Sequence, residues 1–411
     1  MVAESIALAM GSLMDTNEIR TLLASSCGQV EHTRDAELNL SSILARGEWG
    51  DVPAVGVGGD RSAKEQISAL VDAVHWCRER HPGASVLRLV IGEGRYRGVV
   101  FEALATLIAA RRPDSVPFLE IMLDGIATNL PACPTFATTR VAGWMRSIER
   151  RLHEPEPKLV TALSAAAEHP SFRWYRGVTA TYWSGRVEGL EVCRIDQRRE
   201  RGSLAVGRIG KNGKRSLAGC ECMELLADAP PDFTESDVIS VARAVGKIVA
   251  ARQMESLRDF QAEHRLEALV LRDMIHVPAG RRPGAGLLKP VFGKRPFQFP
   301  TQWCADGQPR YVDILMYEGK VPWVVELKDA KPGAGQYYRH AIGQAVLYRE
   351  FVRKAPVVRA FLQRTKGLDA TACRALVAFP EPKPIDPLRL QRLRRLAADF
   401  DVEVVPLGQV P

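Results

Sequence analysis

The stretch that most constrains this chain is a pair of apolar runs, Arg310–Tyr317 and Val321–Leu327, parted by the short break Glu318-Gly319. Runs of this length, rich in β-branched and aromatic residues and bounded by a Gly-containing turn, predict a β-hairpin. In Val321-Pro-Trp-Val-Val-Glu-Leu-Lys328, strand alternation puts Glu326 and Lys328 on one face and Val325 and Leu327 on the other. Two registers suit the turn. A two-residue loop pairs Tyr317 with Lys320 and sets Asp313 opposite Val324. A four-residue loop sets Asp313 opposite Glu326. Both place Asp313 on the face of Glu326 and Lys328, whereas a one-residue slip would send it to the other face.

The hairpin sits inside a longer pattern of elements. A helix is expected over roughly Ser256–Arg272, then a Gly/Pro/Lys/Arg loop (VPAGRRPGAGLLKPVFGKRP) and a further strand-like run at Phe297–Trp303. After the hairpin come a long helix at about Gln336–Arg353, a strand at Ala375–Phe379, a basic helix at Pro387–Ala397 and a strand at Val402–Val405. The order is α-β-β-β-α-β, then α-β. Upstream, Val86–Gly92, the helical period of RGVVFEALATLIAARR and Val116–Asp124 read as a βαβ unit. Residues 168–250 open with Phe172-Arg-Trp-Tyr-Arg-Gly177 and Tyr182-Trp-Ser-Gly-Arg-Val-Glu-Gly189. They predict a small antiparallel sheet, then a helix from about Ser236 capped by Thr234 or Ser236. The expectation is an α/β protein in three regions: an α/β domain over 1–155, a β-rich subdomain with a helix over 168–250, and a third domain over 255–411. No internal repeat stands out.

Charge separates these regions. The net charge is +8, but residues 251–411 hold 26 basic and 17 acidic side chains, so the whole basic excess lies there. That points to a C-terminal unit meeting a polyanion. Hydrophobic content of 46% and charged content of 25% exclude a mostly disordered chain. The first residues, MVAESIALAMGSLMDTNEIR, carry Glu4 and no basic start, which does not read as a secretory signal. No apolar run approaches a membrane span. The eight cysteines form no CxxC pair, the nearest approach being Cys220-Glu221-Cys222. They read as reduced core thiols in a cytoplasmic protein.

Two carboxylates and a lysine converging at one end of a hairpin suit metal-assisted phosphodiester hydrolysis. Mg²⁺ takes a few carboxylate oxygens plus water and phosphate. The lysine orients or deprotonates the water, or stabilises charge on the phosphate. An acid-acid-lysine set alone is common. The long helix strengthens it: Tyr337, His340, Gln344 and Tyr348 fall within one narrow arc. The opposite side carries Arg339, Arg349 and Glu350. Such a stripe fits a helix crossing over a metal site and touching a nucleic-acid strand, or an aromatic stripe packed on the sheet. Trp303 and Trp323 read as core.

The motif Asp313…Glu326-Leu327-Lys328 resembles the signature of the PD-(D/E)XK nuclease superfamily, with Val312 where the family name has proline. Gln344-Ala-Val-Leu-Tyr348 is similar to the QxxxY motif of its RecB-like branch. The resemblance covers about 255–411 and implies a restriction-endonuclease-like αβββαβ core. It implies that Asp313, Glu326 and the backbone of Leu327 bind Mg²⁺ or Mn²⁺, with Glu263 as a further ligand. Glu267, one turn on, is the alternative upstream acid, and His264 the histidine of RecB-like members. It implies that Lys328 handles the nucleophilic water and that Gln344 and Tyr348 orient Lys328 or the DNA. Arg281, Arg282, Lys289, Lys294 and Arg295 would hold phosphates, as would the terminal helix through Arg389, Arg392, Arg394 and Arg395; Tyr337 and His340 would touch the strand.

The expected activity is therefore a Mg²⁺-dependent DNA nuclease, with RNA as a further substrate class, of the kind found as stand-alone bacterial defence or restriction effectors and often dimeric. Two other readings stand beside it. One is a catalytically silent nucleic-acid binder with a nuclease-like fold. The other is a nucleotide-sensing regulator centred on Gly92, Gly94 and Gly98, a GxGxxxG strand-to-helix turn that could take a small nucleotide. A second Gly/Lys segment, Gly207–Lys214, misses the phosphate-loop spacing by one residue and has Arg215 where Ser or Thr is needed. It reads as a basic hairpin tip.

Overall fold

The computed structural model describes residues 14–27, 30–31, 45–112, 118–176, 182–196, 200–205, 229–253, 262–281, 284–292, 299–329, 335–380 and 387–407. The first thirteen residues, the Gly207–Lys214 tip, Cys220, Cys222, Arg282, Lys294, Arg295 and the opening turns of the helix expected from Ser256 lie outside the described residues.

The chain is mixed α/β. In order the elements are α1 (Thr16–Ser26), β1 (Val30–Glu31), β2 (Ala45–Trp49), β3 (Val52–Val57), α2 (Ala63–Arg80), β4 (Val86–Ile91), α3 (Arg97–Ala110), β5 (Phe118–Leu123), β6 (Ile126–Ala127), α4 (Thr139–Leu152) and α5 (Lys158–Ala167). Next come β7 (Phe172–Tyr175), β8 (Tyr182–Val187), β9 (Leu190–Asp196), β10 (Arg201–Leu204), β11 (Asp232–Phe233), α6 (Val238–Gln253) and α7 (Ala262–Leu271). The chain continues through β12 (Lys289–Pro290), β13 (Phe299–Thr301), β14 (Arg310–Val312), β15 (Ile314–Glu318), β16 (Val321–Leu327), α8 (Gly335–Lys354), α9 (Pro356–Lys366), β17 (Arg374–Pro380), α10 (Pro387–Asp399) and β18 (Val402–Leu407).

The first sheet runs β1-β2-β3-β4-β5-β6, with β3, β4 and β5 mutually parallel. Parallel neighbours need crossovers, which α2 and α3 supply. The second, β11-β10-β9-β8-β7, is antiparallel throughout. The third, β12-β15-β16-β17-β18, is antiparallel on the hairpin side and parallel from β16 to β18. Strand β16 is apolar up to Glu326 because it is central and covered on both faces. Thr234 resolves the choice of cap: its backbone N–H donates to Asp237 Oδ2 at 2.9 Å, ahead of a short 3₁₀ turn that leads into α6.

Helix α1 covers one face of the first sheet, packing Ile19 and Leu23 on Ala54, Val90 and Met122. The other face carries α2 and α3, and these are not turned to solvent. Val71, Val74 and Leu104 share one continuous core with Ile342, Ala345 and Val346 of α8, and that core runs on through Leu315, Val324, Val377 and Val404 of the third sheet. On the far side of that sheet, Leu266 and Leu269 of α7 pack on Ile314, Trp323, Val325 and Leu327. The layers are therefore sheet, α2/α3, α8, sheet, α7. The charged side of α8 is enclosed as well. Arg339 donates from Nε to Asp72 Oδ1 of α2 at 2.8 Å. Arg349 donates to the carbonyls of Phe400 and Asp401 at 2.9 and 2.7 Å. Trp303 and Trp323 are core residues, 3% and 0% exposed. The described cysteines carry no disulfide, and burial pushes the Cys77 thiol up to about 11. Among the described residues no helix is long and apolar enough to cross a membrane.

Candidate active site

The hairpin register follows from the pairs Ile314–Val325, Tyr317–Pro322 and Glu318–Val321, which turn the chain at Gly319-Lys320 and set Asp313 level with Glu326. The alignment of Asp313 with Glu326 is that of the second register above, but the loop is two residues long, because Glu318 and Val321 pair as well. The strand expected over Arg310–Tyr317 is broken at Asp313, which separates β14 from β15. The break has a cause across the hairpin. The Asp313 carboxylate turns across the hairpin and accepts from the Leu327 N–H at 2.7 Å. Val312 and Leu315, three apart, both enter the core shared with α8.

Glu326 and Lys328 are buried, 3% and 4% exposed. Lys328 Nζ lies 2.8 Å from Glu326 Oε1 and 3.3 Å from Glu263 Oε1. Its own N–H donates to Ala378 O at 2.9 Å, which anchors the end of β16 on β17. Glu326 Oε2 is buried without a hydrogen-bond partner among the described residues. Burial, then the adjacent Glu326 charge, pushes the Asp313 carboxyl well above the ordinary carboxylate range, with Lys328 opposing. Burial raises Glu326 too, again opposed by Lys328. Burial alone would lower Lys328, but the carboxylates of Glu326, Asp313 and Glu263 outweigh it, so its pKa lies above the usual value and it stays an ammonium. Two acids sharing a dry site repel.

Helix α7 brings both upstream acids to this edge. Glu263 reaches Lys328, while Glu267 is buried, faces His264 Nδ1 at 3.4 Å and adds to the negative field at Asp313. The middle unit fixes α7 in place. The Glu188-Gly189 turn between β8 and β9 takes Arg265 Nε on Glu188 Oε2 at 2.9 Å. A side chain on Gly189 would strike the His264 carbonyl at 2.3 Å, so this approach needs glycine. From α8, Tyr348 is buried and hydrogen-bonded by the Gln344 side chain. Burial, then Glu326 and Asp313, raises its hydroxyl well above the usual value. Gln344 Oε1 is also without a partner. Asp313, Glu326, Lys328, Glu263, Gln344 and Tyr348 therefore come together.

Other residues singled out in the sequence lie elsewhere. His340 was expected to touch a strand, but its Nε2 is 3.6 Å from Asp72 Oδ2, inside the α2–α8 contact. Arg392 and Arg395 were expected to hold phosphates, but both face Glu79 of α2 at 3.3 Å. The reason is that α10 lies along α2, where Arg78 also pairs with Asp399. Arg281 faces Glu403 at 3.5 Å, and Lys289 is exposed on β12. Tyr337 falls within α8. A side chain on Gly92 would meet the Met14 carbonyl at 2.1 Å, and one on Gly94 the Gly59 carbonyl at 2.4 Å. Those glycines thus let three backbones close up. In the same turn the Glu93 N–H donates to Asp124 Oδ1 and the Glu93 carboxylate accepts from Arg97 at 2.7 Å; burial, then Glu93 and Glu18, raise Asp124, with Arg97 opposing.

One residue at the site had no local signal. Lys64, in the first turn of α2, lies within electrostatic reach of Lys328, Glu326 and Glu263. Only the packing of α2 on α8 brings it there.

Among the described residues no three His, Cys, Asp or Glu side chains converge as a ready metal cluster. The donor set nevertheless suits a hard divalent cation: carboxylate oxygens, one of them buried and unpartnered, beside an acid whose charge its neighbours disfavour. No protein family, curated protein or solved structure matches the chain.

Proposed function

We propose that this chain is a Mg²⁺-dependent DNA nuclease of the PD-(D/E)XK type, its centre on Asp313, Glu326, Lys328 and Glu263. The observation that carries the reading is the Asp313–Glu326 pair, Asp313 half-buried and Glu326 buried, with Lys328 on the same hairpin edge and Glu326 Oε2 unpartnered among the described residues. A structure kept only for stability gains nothing from two mutually repelling carboxylates in a dry site. The third sheet is built in the order α7, β12, β15, β16, α8, β17, with α9 added after α8 and the β13–β14 ribbon inserted before β15; the antiparallel hairpin passing into parallel β16–β17 supports the αβββαβ core.

Asp313, Glu326 and Glu263 would hold the metal, together with the carbonyl of Leu327. When bound, Mg²⁺ supplies a Lewis acid for the phosphate and a more acidic water. The chain's own residues do the rest. Lys328, kept as an ammonium by three carboxylates, stabilises negative charge on the phosphate rather than removing a proton. Gln344 and Tyr348 fix the far side of the acid pair. The exposed Lys289 and Arg281 belong to the basic C-terminal segment that draws in the polyanion.

The test is incubation of the purified full chain with linear and circular DNA and Mg²⁺. Cleavage is expected, with losses of at least about 100-fold in Glu326→Gln, Asp313→Asn and Lys328→Met. Absent cleavage, or cleavage unchanged in the folded variants, would overturn the assignment.

A further inference from the structure

Resting on that nuclease reading, we infer that Lys64 of the N-terminal region and Arg310 of β14 form one phosphate clamp, so that a residue far outside the C-terminal core completes the substrate groove. The placement of Lys64 follows from how α2 lies on α8. Asp72 meets Arg339 and His340 at 2.8 and 3.6 Å. One step further along α8, a side chain added to Gly343 would touch Val71 Cγ2 at 3.4 Å. Moving up α8 therefore means moving down α2, and the two helices run antiparallel. Lys64 is eight residues before Asp72, and Tyr348 is eight after His340, so each lies about 12 Å along its axis from the shared contact. The two come level, and Tyr348 is the residue of α8 that faces Glu326 and Asp313.

The first turn of α2 is rigid. Ser62 and Glu65 form a reciprocal capping box, with Ser62 N–H to Glu65 Oε2 at 3.0 Å and Glu65 N–H to Ser62 Oγ at 3.3 Å. Glu65 is thereby occupied with the cap and with Arg61 at 3.4 Å, and among the described residues no acid is in salt-bridge contact with Lys64. The Lys64 side chain is exposed, and its pKa is lowered by partial burial and by Lys328 while Glu326 and Glu263 pull it up. Arg310 enters the same field: it acts on both Lys64 and Tyr348, and its guanidinium is braced 4.4 Å above the Trp303 ring. Two exposed cations beside a carboxylate-lined edge suit a phosphodiester strand, whose register and orientation are fixed by cationic contacts to its phosphates. The clamp joins α2, more than two hundred residues upstream, to β14, the strand that leads into Asp313.

The test uses the full chain and a short fluorescein-labelled DNA duplex, read by anisotropy across a salt series with Ca²⁺ in place of Mg²⁺. Lys64→Gln and Arg310→Gln should each weaken binding about 3- to 10-fold and flatten the log–log salt slope by about 0.9, the signature of one lost phosphate contact. Lys64→Arg should keep the slope, and all three should melt like the wild type because both side chains are exposed. If Lys64→Gln and Arg310→Gln bind with unchanged slope while the wild type cleaves, the clamp is overturned and the nuclease reading stands. If the wild type binds with the expected difference but does not cleave, the clamp stands as a phosphate contact and the nuclease reading falls. If it neither binds nor cleaves, both fall.

Discussion

At Lys328 a single ammonium neutralises two carboxylates, one of which, Glu326, is almost fully buried. Replacing it with alanine leaves the Glu326 charge uncompensated, and such losses cost about 3–5 kcal/mol. Lys328→Ala should lower the unfolding free energy of the full chain, read by chemical denaturation, by that amount, and Glu326→Gln in the same background should recover most of it. The pH dependence has a definite sign. Asp313 and Glu326 both titrate above their ordinary values, so the folded chain holds these protons more tightly than the unfolded one. Their contribution to stability is largest at acidic pH and falls as pH rises from the ordinary carboxylate range through the raised values, by up to about 1.4 kcal/mol per pH unit for each proton. Lys328 is raised as well; its contribution is whole below the ordinary lysine value and is lost only as pH climbs from there through the raised one, so it does not blur this window. Denaturation in EDTA should show the decline, and Glu326→Gln should flatten it. Mg²⁺ should raise the melting temperature of the wild type by mass action and leave Glu326→Gln unmoved; equal shifts in both would detach the metal from these acids.

Among the elements, the hairpin was the most legible from sequence, because a period of two and a Gly-containing turn leave few registers. The break at Asp313 was not, since the hydrogen bond to Leu327 that bends the strand is a tertiary contact. Helix α9 was not read from the sequence, although its signals are local: Pro356 at its first position, Arg364 and Lys366 in its last turn and Gly367, φ +66°, at its end. Helix α8 shows the deeper difficulty. Arg339, Arg349 and Glu350 are ordinary surface residues by composition, yet they are 4%, 1% and 7% exposed because α2 and α10 close over them. The basic periodicity of α10 similarly suggested a phosphate rim, where two of its arginines in fact face Glu79. The pairings of Arg339 with Asp72 and of Arg392 and Arg395 with Glu79 span more than two hundred residues and leave no local trace. The α2–α8 contact should be brittle. Asp72 is fully buried and held well below the usual carboxylate range; burial resists this, and Arg339 and His340 outweigh it. Asp72→Asn should destabilise the chain by about 3–5 kcal/mol in chemical denaturation. The Glu188 anchor behaves differently: Glu188→Gln should loosen α7 alone, seen as faster amide hydrogen exchange over Ala262–Leu271 with the β4 and β16 amides unchanged.

For the whole molecule, the decisive feature is the core that runs from the first sheet through α2, α3 and α8 into the third sheet. A chain held this way should unfold its first and last regions together. Calorimetry of the full chain should give one transition for both, and residues 255–411 expressed alone should aggregate, since α8 would expose Ile342, Ala345 and Val346. Two separate transitions would contradict the shared core. The same layering sets a timetable for synthesis. The first sheet with α2 and α3 emerges from the ribosome well before α8, some 240 residues later. At translation rates of about 5–20 residues per second, the apolar side of those two helices waits on the order of tens of seconds for its cover. During that interval the nascent chain is a sheet with one sticky surface. Its yield in a cell should therefore depend on chaperones and growth temperature more steeply than the stability of the finished molecule would suggest.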